Sequence, residues 1–348
     1  MSAPAPAVSV VISTYNRSVL LGGALESVLR QDTRWTPPFE VLVVDNNSTD
    51  GTRDVVDRVA ARDPRVRYLF EPQQGLSHAR NTGIAAARAP IVTFTDDDVR
   101  AEPGWVRAIA RTFEEHPDAD FAGGKVLPRW PCDPPAWLTR EHWAPLALVD
   151  YGDAPLWVTS DRSICLVGAN LSVRRAAFEA VGIFTPALQR VKGGTGSLED
   201  HEFQLRLIRQ GRRGIYDPRI LVHAEVELHR LTRAYHRRWH YGHGHFHALL
   251  RAEYLERSRA GTLWGVPVHL YRQAVADGVA WMAASVRHGM DEAFRRETRL
   301  WFFAGFVITR RRQFREMPDA SLWREVGAAV RALFARGRAS GPIPEGRQ

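Results

Sequence analysis

Four short apolar runs, separated by amphipathic segments, constrain this chain more than any other feature. They are "VSVVIS" (8–13), "FEVLVVD" (39–45), "VRYLF" (66–70) and "IVTFT" (91–95). Between them lie "SVLLGGALESVLRQ" (18–31), "NNSTDGTRDVVDRVAAR" (46–62) and "GLSHARNTGIAAARA" (75–89). The first of these places Leu21, Leu25, Val28 and Leu29 on one face at helical spacing. The second opens with residues that cap helices. Strand and helix alternating over short connections predict βαβ units. The strands are apolar on both faces, as a sheet covered by helices on either side requires. The predicted fold class is α/β, with a mostly parallel, Rossmann-like sheet flanked by helices.

In an open α/β sheet, ligands gather outside the carboxyl ends of the strands. Thr14, Tyr15, Asn16 and Arg17 follow the first run, Asp45 to Ser48 the second, and Glu71-Pro72 the third. Asp96, Asp97 and Asp98 follow the fourth. Any single Asp or Ser here is explained by helix capping, as for Ser48 or Asp50. Polar groups after all four strands point to a site. Three like charges after a buried strand repel one another and resist desolvation. A cation relieves both. Asp96 and Asp98 sit two apart on a segment read as extended, so their side chains are expected to project to the same side. Two carboxylates with diphosphate oxygens opposite suit Mg²⁺ or Mn²⁺.

"VSVVISTYNRSVLLGGALESVLRQ", "EVLVVDNNSTDGT", "GLSHARNTGIAAA", "IVTFTDDDV" and "LEDHEFQLRL" (198–207) follow in the order seen in family 2 glycosyltransferases of the GT-A fold. From Val8 to about Glu227 the chain resembles that family. The resemblance implies transfer of a sugar from a nucleotide-diphosphate donor to an acceptor hydroxyl, with inversion. It implies that Asp45 binds the nucleobase, typically uracil, and that Thr14, Tyr15 and Asn16 line the nucleotide. Arg80 matches a basic position near the donor. Asp96 matches the acid near ribose and metal, and Asp98 the principal metal ligand, with Asp97 facing away. Asp200 matches the catalytic base, with Glu199 beside it as helper or acceptor ligand. His223 matches a histidine that completes the metal shell in some relatives. Without that order of motifs, Glu199-Asp200 would read as acids favoured by a helix dipole.

The implied partners are a nucleotide-sugar donor, a UDP-sugar above all, and a glycan or lipid-linked acceptor of cell-surface polysaccharide or glycolipid synthesis. A sugar-phosphate nucleotidyltransferase shares such a sheet, but its first loop would carry Gly and Lys where this chain has "STYNRS". A non-catalytic sugar-nucleotide-binding protein would not need the full acid set.

The alternation stops after "PGWVRAIARTFEEHPDADFAGGKV" (103–126). Residues 128–160 are rich in Pro and Trp, which predicts an ordered insert, because aromatic residues at that density seek burial. The expected division is a catalytic domain over 1–227, a basic helical extension over 228–337 and a disordered tail over 338–348. Helices are expected over "LTRAYHRRWHYGHGHFHALLRAEYLERS" (231–258), 263–288, 290–312 and 320–337. "GGTGS" (193–197) and the insert are expected to bear on sugar and acceptor choice. "HYGHGHFH" (240–247) suggests a mobile loop or helix start near the donor phosphates. A zinc cluster there has no cysteine or tetrahedral spacing behind it.

Charge divides along the chain. Residues 1–200 hold 21 basic and 25 acidic side chains, and residues 201–348 hold 26 and 14. All but Lys125 and Lys192 of the basic ones are Arg, so compositional bias explains part of the excess. The basic extension, with an apolar knot at Leu300 to Ile308, fits either packing against the body or a second subunit, or an anionic membrane surface. No nucleic-acid-binding module is present, and nucleic acid is not an expected partner. Two cysteines, Cys132 and Cys165, make no disulfide framework and fit a reducing compartment. The start reads as no secretory signal, and no run has the length of a spanning helix. The expectation is a cytoplasmic protein, with peripheral attachment at the inner face of the plasma membrane left open.

Overall fold

The computed structural model describes residues 4–32, 34–162, 164–188, 198–250, 261–287, 289–316 and 327. The first hundred residues form β1 (Val8–Thr14), α1 (Ser18–Leu29), β2 (Phe39–Asp45), α2 (Thr52–Ala60), β3 (Val66–Phe70), α3 (Leu76–Ala86) and β4 (Ile91–Asp96). β1 lies between β2 and β4, and β3 adds outside β2, all parallel. Every residue of β2 is buried, which accounts for a run with no polar alternation. The register pairs Thr14 with Asp45 and Ser13 with Asp96. The polar ends of three strands therefore stand level on one edge.

Beyond Asp96 come β5 (Val99–Ala101), α4 (Trp105–Glu115), β6 (Phe121–Arg129), β7 (Leu156–Val158), β8 (Leu171–Arg174), α5 (Arg175–Val181), α6 (Glu199–Arg209) and β9 (Gly214–Glu225). The sheet order is β3-β2-β1-β4-β8-β6-β9-β5, with β7 also pairing β9. β8 runs antiparallel between β4 and β6, whereas β6 and β9 are parallel. A short helical turn before β8 carries Asn170, which is buried and fully used. It accepts from Trp105 Nε1 at 2.8 Å and donates to the carbonyls of Lys125 and Ile220 at 3.0 and 2.9 Å. One amide thus ties α4, β6 and β9 together without leaving a polar atom unpaired.

The remaining elements are α7 (Arg233–Leu250), the hairpin of β10 (Thr262–Leu263) and β11 (Val266–Pro267), α8 (Val268–Arg287) and α9 (Gly289–Glu316). The insert over 128–160 uses its aromatic residues as sequence predicts. Trp137 lies edge-on to His236 of α7 at 4.9 Å and to Phe294 of α9 at 4.8 Å. Residues 240–247 are helix interior in α7, not a mobile loop. The glycine at 244 serves close packing rather than flexibility. A Cβ there would stand 2.0 Å from the Phe302 carbonyl oxygen, and one at Gly305 would stand 1.9 Å from that of Tyr241. Backbone meets backbone where α7 crosses α9, which only glycine allows. The expected helix over 263–288 begins later, after the hairpin. The "GGTGS" segment, the 320–337 helix (but for residue 327) and the tail lie outside the described residues. No helix among the described residues is long and apolar enough to cross a membrane.

Candidate functional site

The loops after β1 and β2 are stitched to each other. The Asn16 backbone N–H donates to Ser48 Oγ at 2.9 Å, and Asn16 Oδ1 accepts from the Thr49 N–H at 2.7 Å. Asn16 has φ 52, a left-handed turn that Asn tolerates better than most residues. Tyr15 is half-buried beside it. Asp45 is buried at the end of β2, where Oδ1 accepts the Ser48 N–H and Oδ2 accepts the Tyr68 hydroxyl, both at 2.9 Å. Burial and the neighbouring Asp45 carboxylate push the Tyr68 hydroxyl up to about 12. Each Asp45 oxygen keeps a second lone pair for a ligand. Asn46 holds the following loop by donating to the Gln73 carbonyl at 2.6 Å and accepting the Gly75 N–H at 2.7 Å. Gly75, at φ 146, opens α3 in a conformation that side chains resist.

The three aspartates do not form an extended segment. β4 ends at Asp96, and Asp97 and Asp98 make the turn into β5. Strand alternation therefore does not govern Asp96 and Asp98, and they take different ion partners. Asp96 Oδ1 lies 3.8 Å from Arg80 Nη2, while Asp98 Oδ2 lies 2.9 Å from Arg17 Nη1. Asp97 points inward and accepts the Thr14 hydroxyl at 2.7 Å. Thr14 itself is buried. Burial, then the adjacent Asp98, pushes the Asp97 carboxyl up to about 7, against the pull of Arg17. Arg17 also reaches Glu227 at 2.7 Å. Burial works against its charge, but Asp98, Asp97 and Glu227 outweigh that and raise its pKa.

The other half of the site comes from α6. Glu199 and Asp200 start that helix. Glu199 is buried, with Oε1 2.9 Å from Arg80 Nη1. Arg80 is also buried, its guanidinium over the rings of Phe184 at 5.4 Å and Phe94 at 5.9 Å. It links α3, the acid turn and α6. A Cβ on Gly168 would meet Arg80 Nη2 at 2.3 Å. The Gly168 N–H donates to Asp200 Oδ2 at 2.9 Å and the His201 N–H to Oδ1 at 2.8 Å. Gln204, one turn on, holds the same stretch by accepting the Leu166 N–H and donating to the Leu166 carbonyl, at 2.9 and 2.7 Å.

Thr14, Asp45 and Asp96 thus share the sheet edge, Asp96 reaches Arg80, and Arg80 reaches Glu199 beside Asp200. His223 sits within β9, paired in register with Arg100, and its Nδ1 lies 3.3 Å from Glu102. Among the described residues no three His, Cys, Asp or Glu converge as a metal cage. The oxygen donors of the acid turn nonetheless fit Mg²⁺ or Mn²⁺. Such ions keep several non-protein ligands and bind through one or two carboxylates plus substrate phosphates. Sequence reasoning set Arg17 on this edge without giving it a role, and missed Gly168, Gln204 and Tyr68. An arginine in so arginine-rich a chain carries little signal, and the other three act through folded contacts alone.

Comparison with known proteins agrees with this architecture. Residues 9–182 match the family model described as glycosyl transferase family 2. A glucosyl-dolichyl phosphate glucuronosyltransferase of Haloferax volcanii is 30 % identical over 225 residues, covering 63 % of this chain and 69 % of its own. The validoxylamine A glucosyltransferase of Streptomyces hygroscopicus subsp. jinggangensis is 43 % identical over 106 residues, 30 % of this chain and 25 % of its own. The chain thus spans about two thirds of one curated relative and a quarter of the other. Among solved structures, the mannosyltransferase PcManGT from Pyrobaculum calidifontis, in complex with GDP-Man and Mn²⁺, superposes with a TM-score of 0.56 at 20 % identity. That match covers 88 % of this chain and 87 % of the other.

Proposed function

This chain belongs to glycosyl transferase family 2 and is a glycosyltransferase; we propose that it transfers the sugar of a UDP-sugar, with inversion, to a hydroxyl of a glycan or lipid-linked acceptor. The product in this reading is a cell-surface polysaccharide or glycolipid, made at the cytoplasmic face of a membrane. One observation carries the proposal. Asp45, Asp96 and Asp98 stand at the carboxyl edge of the sheet, and a buried arginine joins Asp96 to the helix start that bears Asp200. The dolichyl phosphate in the name of the Haloferax relative supports a lipid-linked acceptor. So does the GalNAc(5)-diNAcBac-PP-undecaprenol beta-1,3-glucosyltransferase of Campylobacter jejuni, 38 % identical over 95 residues.

In this reading Asp45 and the loop of Thr14, Tyr15 and Asn16 receive the nucleoside. Asp96 and Asp98 would hold Mg²⁺ or Mn²⁺, which when bound offsets negative charge on the departing diphosphate. To hold the ion Asp98 would give up its contact with Arg17, which would keep its contact with Glu227. Asp200, fixed by two backbone N–H groups, takes the proton of the attacking hydroxyl on the face opposite the leaving group. The transition state has oxocarbenium character. Arg80 and Glu199 are positioning residues that set the distance between donor edge and base. His223 has Nδ1 against Glu102, which leaves Nε2 as the atom it would offer a metal.

The test is turnover of UDP-sugars by the wild type, D98N and D200N. Transfer should fall by about 10²–10⁴-fold in D200N and comparably in D98N, with unchanged far-UV circular dichroism. Near-normal turnover in both variants would end the reading.

A further inference from the structure

α8 packs on α9 through one face only. Val268 and Leu270 are buried, and Asp277 lies 3.4 Å from each of Arg296 and Arg299. On the other face, Val275, Val279, Met282 and Val286 are 68, 58, 56 and 88 % exposed. Spacings of four, three and four residues align them in one stripe along the helix. Isolated exposed apolar residues are ordinary, but an ordered row of four is not. Arg272 and Arg287 stand exposed at the two ends of the row. Asp277 is the only carboxylate of α8, and it faces the other way. At its amino-terminal end the row runs into an open groove of about 390 Å³ lined by Val268, Tyr271, Arg272 and Val275.

We propose that this face of α8 docks on an anionic lipid bilayer, Val279, Met282 and Val286 entering the acyl boundary and Arg272 and Arg287 meeting lipid phosphates. The chemistry is that of an interfacial helix: an apolar row, a cation at each end and no acid on the exposed side. A second copy of the chain fits less well. Four apolar side chains on one helix are few against the roughly 20–30 residues a side of a stable interface. Pairing two such helices would also oppose arginine to arginine in either orientation, because both ends of the row carry the same charge. The expected apolar knot on α9 is partly covered: Phe306 is buried and Phe302 packs on His243 and His247 of α7, while Trp301 and Ile308 stand exposed without forming a comparable row. The docking deepens the reading of a lipid-linked acceptor, to which it would bring the site.

The experiment uses the full chain and co-sedimentation with vesicles of phosphatidylglycerol and phosphatidylcholine, against phosphatidylcholine alone. The wild type should bind the anionic vesicles and leave them at high salt. V279D/V286D should lower the bound fraction by about tenfold or more, while its circular dichroism and its melting shift with UDP and Mn²⁺ stay those of the wild type. Three results would each overturn the docking: a wild type that ignores anionic vesicles, a variant that binds as well as wild type, or a solution dimer that V279D/V286D dissociates. Vesicle binding by a wild type that gives no melting shift with UDP and Mn²⁺ would sink the catalytic reading and leave the docking standing.

Discussion

Replacing Glu199 by Gln should cost far more stability than an ordinary ion-pair loss. The Arg80 and Glu199 side chains are only 4 and 2 % exposed, and their ion pair is 2.9 Å long. E199Q leaves a buried guanidinium facing a neutral amide, with Asp96 at 3.8 Å as its nearest remaining carboxylate. Breaking a buried pair from one side costs about 3–5 kcal/mol, because the surviving charge stays desolvated. At about 2.1 cal/mol/K per residue, a cooperative unit of about 300 residues has an unfolding entropy of ~0.6 kcal/mol/K. The melting temperature should therefore drop by about 5–8 °C. R80M/E199L, which removes both charges and keeps apolar volume against Phe94 and Phe184, should recover most of that loss. Differential scanning calorimetry of wild type, E199Q, R80M and the double variant makes the comparison. An E199Q melt within a degree of wild type, or a double variant no more stable than R80M, would refute the claim that this pair sits desolvated under the site.

Other expectations follow from single contacts. G168A sets a methyl group against Arg80 Nη2, so transfer should fall about tenfold or more although Asp200 is untouched, as initial-rate kinetics would show. G305A places a Cβ against a backbone carbonyl that cannot swing aside and should cost about 1–3 kcal/mol, read as a lowered denaturant midpoint. Acid should weaken the fold through His236, which is fully buried. Burial first, with help from His142, pushes it down to about 4. The folded state then resists a proton that the unfolded chain accepts near pH 6.5. Its contribution is present above that pH and is lost as pH falls toward 4, about 2 kcal/mol of it between pH 7 and 5. H236F should flatten the pH dependence of urea unfolding, whereas an unchanged slope would contradict the assignment.

The strands and the acid-rich edge were legible because β-sheet burial writes itself as local apolar runs, and each run ended in a polar cluster. The acid turn shows where such reading stops. Three aspartates announce a site, but whether they continue a strand or turn depends on the partner that β5 finds in β9. With the turn, Asp97 became the inward residue held by Thr14, and Asp96 and Asp98 parted toward different arginines. Arg17 could not be singled out among so many arginines, since its role rests on Glu227, 210 residues away in sequence. The glycines of α7 and α9 resemble flexible positions in a string of letters. Only the crossing of the two helices shows them as points of backbone contact. The apolar content of the 263–288 segment was visible, but which of its residues face α9 and which face outward was not, because both faces carry valines.

The most direct test of the central claim is calorimetric titration of UDP with and without Mn²⁺ into the wild type, D98N and D200N. A single carboxyl edge that holds nucleotide and metal together predicts Mn²⁺-dependent UDP binding in the wild type and in D200N, and its loss in D98N. Binding by D98N equal to that of the wild type, or no UDP binding by the wild type with Mn²⁺ present, would contradict it.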